Sequence, residues 1–126
     1  MSAALTKKLL IKPDCRVRSF AAPTTLSLSL PTGASLATTG TGPFDVVLVF
    51  APRTATMVKE ARRGARALAV GGVLWLCYPK QSGPSAGELT REVMWDVLPG
   101  WRPVTQVAID GTWSAMRFRP ADHGRR

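Results

Sequence analysis

Two short apolar segments constrain the fold of this chain more than any other feature. Residues 44–53 read FDVVLVFAPR and residues 68–80 read LAVGGVLWLCYPK. Each is a nearly continuous apolar run closed by a proline and a cation, and a helix-periodic segment lies between them. Such runs are typical of parallel strands that helices cover on both faces. The pattern therefore predicts a strand–helix–strand unit within an α/β domain.

The length of the chain limits its organisation. With 126 residues it can form one domain with a real core but not a second lobe. We expect residues 1–119 to form that domain and the basic tail 120–126 to be disordered. The longest apolar stretch, residues 68–78, is about half of the roughly 20 residues that cross a bilayer, and the N-terminus lacks a signal-peptide pattern. We therefore expect a cytoplasmic protein that does not associate with membranes.

The side chains that catalytic and metal sites use most often are scarce. Cys15 and Cys77 lie in predicted strands without a CxxC partner, and the single histidine, His123, is in the tail. This distribution predicts buried thiols. It argues against zinc binding and against Ser–His–Asp or Cys–His catalysis.

The remaining sequence patterns predict the other elements. Gly71-Gly72 is typical of a helix C-cap, and Asp110-Gly111 is typical of a tight hairpin turn. In chain order we expect an amphipathic helix before residue 13, a strand over 15–21, one or two helical turns over 26–30, a strand over 35–38, a strand over 45–50, a helix over about 55–68, a strand over 73–78, a helix over 87–98, and hairpin strands over 104–109 and 112–118.

The net charge of +9 is first explained by one helix. Lys59, Arg62, Arg63 and Arg66 follow at i, i+3, i+4 and i+7, which is the solvated face of an amphipathic helix. The alternative is a nucleic-acid interface made by these four cations together with arginines of the tail. No aromatic residue interleaves the cations as in a base-stacking platform.

The order of the segments resembles the core of class I methyltransferases. IKPDCRV precedes the first strand, FDVVLVFAP and LAVGGVLWLCYPK follow, and a hairpin ends the chain. The similarity covers most of residues 5–119. More closely, WLCYPKQSG, ELTREVMWD and DGTWSAMRFR resemble a family of small bacterial proteins known only as a domain of unknown function. The resemblance implies a three-layer Rossmann-like sandwich, mostly parallel, with a C-terminal antiparallel hairpin on a truncated core.

The chain departs from the methyltransferase pattern where the cofactor would bind. In S-adenosylmethionine enzymes a glycine-rich turn follows the first strand, and a carboxylate that binds the ribose ends the second strand. Here residues 20–24 are FAAPT and residues 37–39 are ATT, and the GTG at 40–42 does not open a helix. We therefore predict no cofactor and name no catalytic residue.

One edge of the predicted sheet collects polar side chains. Ligands of open α/β folds bind outside the carboxyl ends of the parallel strands, and there Arg53 as a bidentate donor and Lys80 as a point charge could hold an anionic or planar ligand. The simpler alternative is that Trp113 caps the sheet and that Asp110 pairs with Lys80 or serves its turn. Trp75, Trp95 and Trp101 are predicted to be packing residues. The candidate rim comprises Arg53, Tyr78, Lys80, Ser82, Asp110, Thr112, Trp113 and Ser114.

Three functional hypotheses stay open. We favour a non-catalytic binding or regulatory module on a degenerate methyltransferase-like scaffold, with an anionic small molecule or a protein as its partner. The alternatives are a nucleic-acid-binding accessory protein and an enzyme. The enzyme would be a divergent S-adenosylmethionine-dependent methyltransferase or would use Lys80 and Asp110 as acid and base. A homodimer through an exposed edge strand also stays open.

Overall fold

One mixed six-stranded sheet forms the centre of the molecule. The computed structural model describes residues 3–83 and 86–121. The strands are β1 (Arg16–Phe20), β2 (Ser35–Ala37), β3 (Phe44–Phe50), β4 (Leu68–Pro79), β5 (Trp101–Ala108) and β6 (Trp113–Pro120), and the helices are α1 (Ala3–Lys8), α2 (Thr54–Arg66) and α3 (Arg91–Met94).

The strand order is β2-β1-β3-β4-β6-β5. The first four strands in that order are parallel, and β6 runs antiparallel to both of its neighbours. The predicted Rossmann-like α/β sandwich with a C-terminal antiparallel hairpin is therefore confirmed.

The central strand β3 is apolar because it buries both of its faces. Val47 and Val49 belong to the core beneath α2, whereas Val46, Leu48 and Phe50 belong to a second core on the opposite face. A strand covered on both sides has no polar alternation, which is why FDVVLVF reads as a continuous run.

The helix α2 lies close against the sheet. Met57, Ala61 and Gly64 form its buried side. A Cβ on Gly64 would stand 2.5 Å from Cγ2 of Val49, so only glycine permits this approach. The opposite side carries the four predicted cations, all exposed, and the amphipathic helix is confirmed.

The opposite face of the sheet is covered by α1 and by an extended segment. The indole Nε1 of Trp75 donates to the Leu9 carbonyl at 2.9 Å, which fixes the end of α1. The helical turns predicted over 26–30 are absent from this part of the structure. Leu26, Leu28 and Leu30 instead pack on the second core, because a period of two places all three on one side of an extended chain.

The Gly71-Gly72 pair was wrongly assigned to the end of α2. Ala67 is the C-cap residue, and the glycines lie inside β4, where the register shifts between the pairs Phe44↔Leu68 and Val46↔Val73. Gly71 has φ of +78°. The extra residues therefore leave the ladder as a bulge, for which glycine supplies the left-handed conformation.

The helix predicted over 87–98 is also wrong in extent, since α3 covers only Arg91–Met94. It begins late because the Thr90 hydroxyl accepts from the Val93 N–H at 3.1 Å as an N-cap. Beyond it the chain turns so that the consecutive residues Val97 and Leu98 are both buried. The expectation that Trp95 packs is wrong as well, because Trp95 is 57% exposed.

Five predicted strands agree with the structure to within three residues, and the hairpin turns at Asp110-Gly111. The strand predicted over 73–78 is wrong in extent, since β4 already begins at Leu68. Cys77 is buried, and burial raises the pKa of its thiol well above the ordinary value. Cys15 is half-buried just before β1.

No helix of the described residues is long and apolar enough to span a membrane. Residues 122–126 of the predicted tail, including His123, lie outside the described residues.

Candidate functional site

The carboxyl edge of the sheet brings part of the candidate rim together. The Lys80 N–H donates to the Thr112 carbonyl at 2.8 Å. The neighbouring pairs Tyr78↔Ser114 and Pro79↔Trp113 join β4 to β6. The end of β4 and the hairpin turn are therefore adjacent, as the strand order implied.

The rim side chains nevertheless divide between the two faces of the sheet. Tyr78 belongs to the core beneath α2. Trp113 packs on the opposite core, where its ring meets Phe50 edge-on with centroids 5.2 Å apart. Ser114 is 6% exposed. These three side chains serve mainly to pack the ends of the strands.

The Tyr78 hydroxyl forms a hydrogen bond with another side chain of the protein. It accepts a hydrogen bond from Nε2 of Gln106 at 3.0 Å. Burial raises the pKa of Tyr78 above its ordinary value, and the positive charge of Arg91 offsets part of that rise. The phenol is therefore neutral at physiological pH.

The Asp110 carboxylate is used by its own turn. Its Oδ1 accepts from the N–H groups of Thr112 at 2.8 Å and Trp113 at 2.9 Å. This is the local bonding for which Asp is favoured in turns. Within the described part of the chain Asp110 forms no ion pair with Lys80, so the arrangement is that of a turn and not of an acid–base pair.

A carboxylate that the sequence analysis missed lies near Arg53. Arg53 occupies the N-cap position of α2 without a side-chain hydrogen bond, and Glu88 instead accepts from the Thr54 N–H. The hydrogen bonds to Thr54 lower the pKa of Glu88, with a smaller contribution from the positive charge of Arg53. No sequence signal indicated this contact, because the helix predicted from about residue 55 had Thr54, a favoured N-cap residue, before it. In the structure the helix begins one residue earlier with Arg53 as its N-cap, which leaves N–H groups for an acid from elsewhere. The side chains of Arg53 and Ser82 are exposed.

The turn after β1 does not fit an S-adenosylmethionine site. Ala21 has φ of +55°, so the chain adopts a glycine-like conformation while keeping a Cβ. The segment that follows packs its leucines on the sheet where a cofactor-binding helix would begin. After β2 come Thr38 and Thr39, both exposed, and no carboxylate. We derive no chemistry through that cofactor.

A cluster of arginines lies on the α2 side of β1 and shares no residue with the candidate rim. Residues 38–43 cross over β1 to connect β2 with β3. Beneath this crossover is a cavity of about 270 Å³, which we call the basic pocket. It is lined by Arg18, Phe20, Gly40, Thr41, Arg63, Arg66 and Ala67.

Arg18 is the most enclosed cation of the basic pocket. It is 7% exposed, and its Nη1 donates to the Gly40 carbonyl at 2.9 Å. Its guanidinium carbon lies 3.8 Å from the Phe20 ring centroid, and that of Arg63 lies 5.3 Å from the same ring. The aromatic ring thus holds two guanidinium groups at one site.

The basic pocket carries an excess of positive charge. Burial lowers the pKa of Arg18, the positive charge of Arg63 lowers it further, and Glu60 opposes them. Glu60 forms an ion pair with Arg63 at 2.7 Å. The Nε of Arg18 is buried without a hydrogen-bond partner. Arg18 was missed at the sequence level, although an arginine inside a strand of a covered sheet is an unusual feature.

The predicted cationic face of α2 continues from the basic pocket. Lys59 and Arg62 line a shallow groove of about 500 Å³ that also includes Arg63 and Arg66. All four cations are exposed. The pocket and the groove therefore form one basic surface.

Another cavity, of about 510 Å³, lies at the amino edge of β4. Leu68 and Trp101 supply apolar walls, and Arg117 and Arg119 supply charge. The Nε of Arg117 is also buried without a partner. Arg117 as a whole residue is partly exposed, whereas Arg18 is 7% exposed. Burial lowers the pKa of Arg117, and the positive charge of Arg119 lowers it further.

Comparisons with solved structures identify the fold. The chain is similar to TrmN from Thermus thermophilus, with a TM-score of 0.63 and 12% identity over 93% of this chain and 47% of that one. It is similar to a protein from Bordetella parapertussis described as a possible exported protein, with a TM-score of 0.58 and 14% identity over 93% of this chain and 66% of that one. It also matches the DhpI–SAH complex, with a TM-score of 0.53 and 12% identity over 98% of this chain and 85% of that one.

These likenesses show a methyltransferase-like Rossmann fold and no activity, since one fold hosts many functions. The chain spans about half the length of the TrmN structure. No family model matches it, and no curated protein matches it. Membership in the small bacterial family of unknown function therefore stays a prediction.

Proposed function

We propose that this protein is a non-catalytic binding or regulatory module on a methyltransferase-like scaffold. The observation that carries the proposal is the use of polar groups at the carboxyl edge. Asp110 bonds its own turn, Glu88 bonds the start of α2, and the Tyr78 hydroxyl bonds Gln106. Groups committed to the fold in this way are poorly placed to bind a cofactor or transfer a proton.

The candidate rim stays the alternative location for a bound ligand. Among its members Arg53 and Ser82 are exposed and Lys80 is half-buried. An anion held there would contact Arg53 and Lys80. Substitution of both residues would then abolish its binding.

The test of the proposed function is a thermal melt of the full chain with S-adenosylhomocysteine at millimolar concentration. A ligand at about 100 times its dissociation constant stabilises a fold by roughly 2.7 kcal/mol, which a melting curve detects readily. We expect no shift. A saturable shift would contradict the proposal and support the divergent methyltransferase, for which the fold likeness is the supporting observation.

A second candidate function is nucleic-acid binding by the cationic face of α2. Lys59, Arg62, Arg63 and Arg66 are all exposed and line continuous cavities. Four phosphate contacts predict that the logarithm of affinity falls with the logarithm of salt concentration with a slope of about −3 for a single strand. Absence of binding in dilute salt would end this candidate.

Two further properties belong to the same proposal. We place the protein in the cytoplasm, and we leave open a homodimer through β5, the outer strand of the hairpin. Pro103 lies within β5, and proline on an edge strand reduces pairing with another chain. Sedimentation of the full chain decides the oligomeric state.

A further inference from the structure

The basic pocket has the properties of a phosphate site. We propose that Arg18, Arg63 and Arg66 bind a phosphoryl dianion, either inorganic phosphate or the terminal phosphomonoester of a larger ligand. This inference rests on the proposed function, because it names the ligand that the binding module would hold. The site lies on the α2 face of β1 and shares no residue with the candidate rim.

The buried guanidinium of Arg18 provides the first argument. Arg18 is 7% exposed, and its Nε is buried without a hydrogen-bond partner. A buried cation without a counter-ion is costly. Within the described residues Arg18 has the Gly40 carbonyl and the Phe20 ring as partners. The charge of Glu60 raises the pKa of Arg18, but the Glu60 carboxylate is paired with Arg63. A bound anion would supply the missing charge.

The surrounding charges provide the second argument. Three arginines line the basic pocket, and the acid beside them, Glu60, is paired with Arg63. Asp45, on the neighbouring strand, accepts from the Arg16 N–H at 2.8 Å, so its carboxylate is used there. The excess of positive charge favours a dianion over a monoanion.

The chemistry of the lining favours a tetrahedral oxyanion. Guanidinium groups donate pairs of parallel N–H bonds that match phosphate oxygens. Arg18 is held by Gly40 and Phe20 before any ligand arrives, which reduces the ordering cost of binding. The exposed Thr41 at the mouth adds a hydroxyl to the lining.

The size of the cavity indicates which part of a ligand enters. Its volume of about 270 Å³ is below the ≈ 300–1,000 Å³ of most small-molecule pockets. It suits a phosphoryl group more than a whole cofactor. The remainder of a larger ligand would lie along the adjoining groove, where Lys59 and Arg62 are exposed.

Titration of the full chain with sodium phosphate, followed by calorimetry and by thermal melting, tests the proposal. Sodium chloride at matched ionic strength is the reference. We expect saturable binding of phosphate and a rise in melting temperature that chloride does not reproduce. Phosphate that acts no differently from chloride would overturn the proposal.

Substitutions locate the binding. Arg66→Gln and Arg63→Gln alter exposed helix residues, so the fold should survive, and each should weaken phosphate binding by about tenfold or more through loss of a charge-assisted hydrogen bond. Arg102→Gln, an equal change of charge at an exposed position of β5, should leave affinity unchanged. Equal weakening by all three variants would show a general charge effect and overturn the site.

Arg18→Gln should abolish phosphate binding and also the stabilisation by phosphate. If this buried variant does not fold, Arg66→Gln and Arg63→Gln still decide the question. Two oligonucleotides that differ only in a 5′-phosphate distinguish the sources of the anion. Tighter binding of the phosphorylated strand, lost in Arg66→Gln, identifies a terminal phosphomonoester. Preference for free phosphate with no effect of the 5′-phosphate identifies the free anion.

A parallel titration with S-adenosylhomocysteine separates the failure of this site from the failure of the proposed function. Phosphate binding together with S-adenosylhomocysteine binding would support the site while contradicting the non-catalytic role. Absence of both would overturn the site and leave the binding module in need of another ligand.

Discussion

The carboxyl edge of the sheet and the basic pocket both collect polar side chains, but the protein uses them differently. At the carboxyl edge the carboxylates and the phenol are bonded to the protein's own backbone and side chains, as with Asp110 and Glu88. In the basic pocket Arg18 is buried with an Nε that has no partner. The polar groups at the edge stabilise the fold, whereas those of the pocket leave positive charge for a ligand to neutralise.

The difference shows why the location of a site cannot be taken from the fold class. Open α/β sheets bind ligands at the carboxyl ends of their strands. In this chain the residues after β1 have a glycine-like backbone without glycine, and their neighbours pack on the sheet. The short crossover over residues 38–43 instead leaves space beside α2.

The largest expected effect comes from displacing α2, which forms one wall of the basic pocket. In Gly64→Ala the new Cβ would meet Val49, which pushes α2 from the sheet. Overpacking outweighs the gain in helix propensity, for a net loss of about 1–2 kcal/mol in the free energy of unfolding. Urea denaturation measures the loss, and phosphate affinity should fall as Arg63 and Arg66 shift.

Gly111→Ala is the matched control for this substitution. A Cβ at Gly111 meets nothing within 4 Å, and Gly111 is not among the positive-φ glycines of the described chain. Its stability should change by less than about 0.5 kcal/mol. Gly64→Ala as stable as Gly111→Ala would contradict the close packing of α2.

The next effect concerns the carboxyl edge. Asp110→Ala removes the acceptor of two backbone N–H groups and should lower the free energy of unfolding by about 1 kcal/mol. Asp110→Asn keeps an acceptor oxygen and should lose less. Neither should alter phosphate affinity. A change in affinity without a change in stability would assign Asp110 to ligand binding. It would contradict the conclusion that the polar groups of the carboxyl edge serve only the fold.

A smaller effect of opposite sign is expected at Ala21. Its φ of +55° costs an L-residue about 1 kcal/mol that glycine avoids, while glycine adds chain entropy to the unfolded state. Ala21→Gly should therefore raise the free energy of unfolding by at most about 0.5 kcal/mol. Ala22→Gly, at a position without positive φ, should lower it. Chemical denaturation compares the two.

The smallest effect is the pH dependence due to Glu88. Because hydrogen bonding to Thr54 lowers its pKa below the ordinary 4.5, Glu88 stabilises the fold above pH 4.5, and the effect is lost as the pH falls through the folded-state pKa. Glu88→Gln should be less stable than the parent at pH 7, with a difference that shrinks below pH 4.5. Melting temperatures of both proteins across pH measure the difference, and a difference that stays constant below pH 4.5 would contradict this role of Glu88.

Much of the fold could be predicted because it depends on local patterns. The continuous run FDVVLVF becomes a strand since both of its faces are buried, and the four cations of α2 fall on its exposed face. The limits of α3 could not be predicted from periodicity alone. The Thr90 cap and the burial of Val97 and Leu98 are set by packing against the sheet.

The two regions also differed in how well the sequence predicted them. Strand order alone placed the end of β4 beside the Asp110 turn, because both lie at strand ends. The face to which each side chain points, as for Tyr78 and Trp113, depends on register and was not predicted. The basic pocket was missed since it joins a residue of β1, a crossover and α2, and no periodic pattern connects these three segments.

The most direct test of the central claim is an NMR titration of the isotope-labelled full chain, first with phosphate and then with S-adenosylhomocysteine. The account predicts that phosphate shifts the backbone amides of Gly40 and Thr41 and leaves those of Lys80 and Thr112 unchanged, and that S-adenosylhomocysteine shifts none of them. Shifts confined to Lys80, Thr112 and the turn after β1 would contradict it and return the binding site to the carboxyl edge.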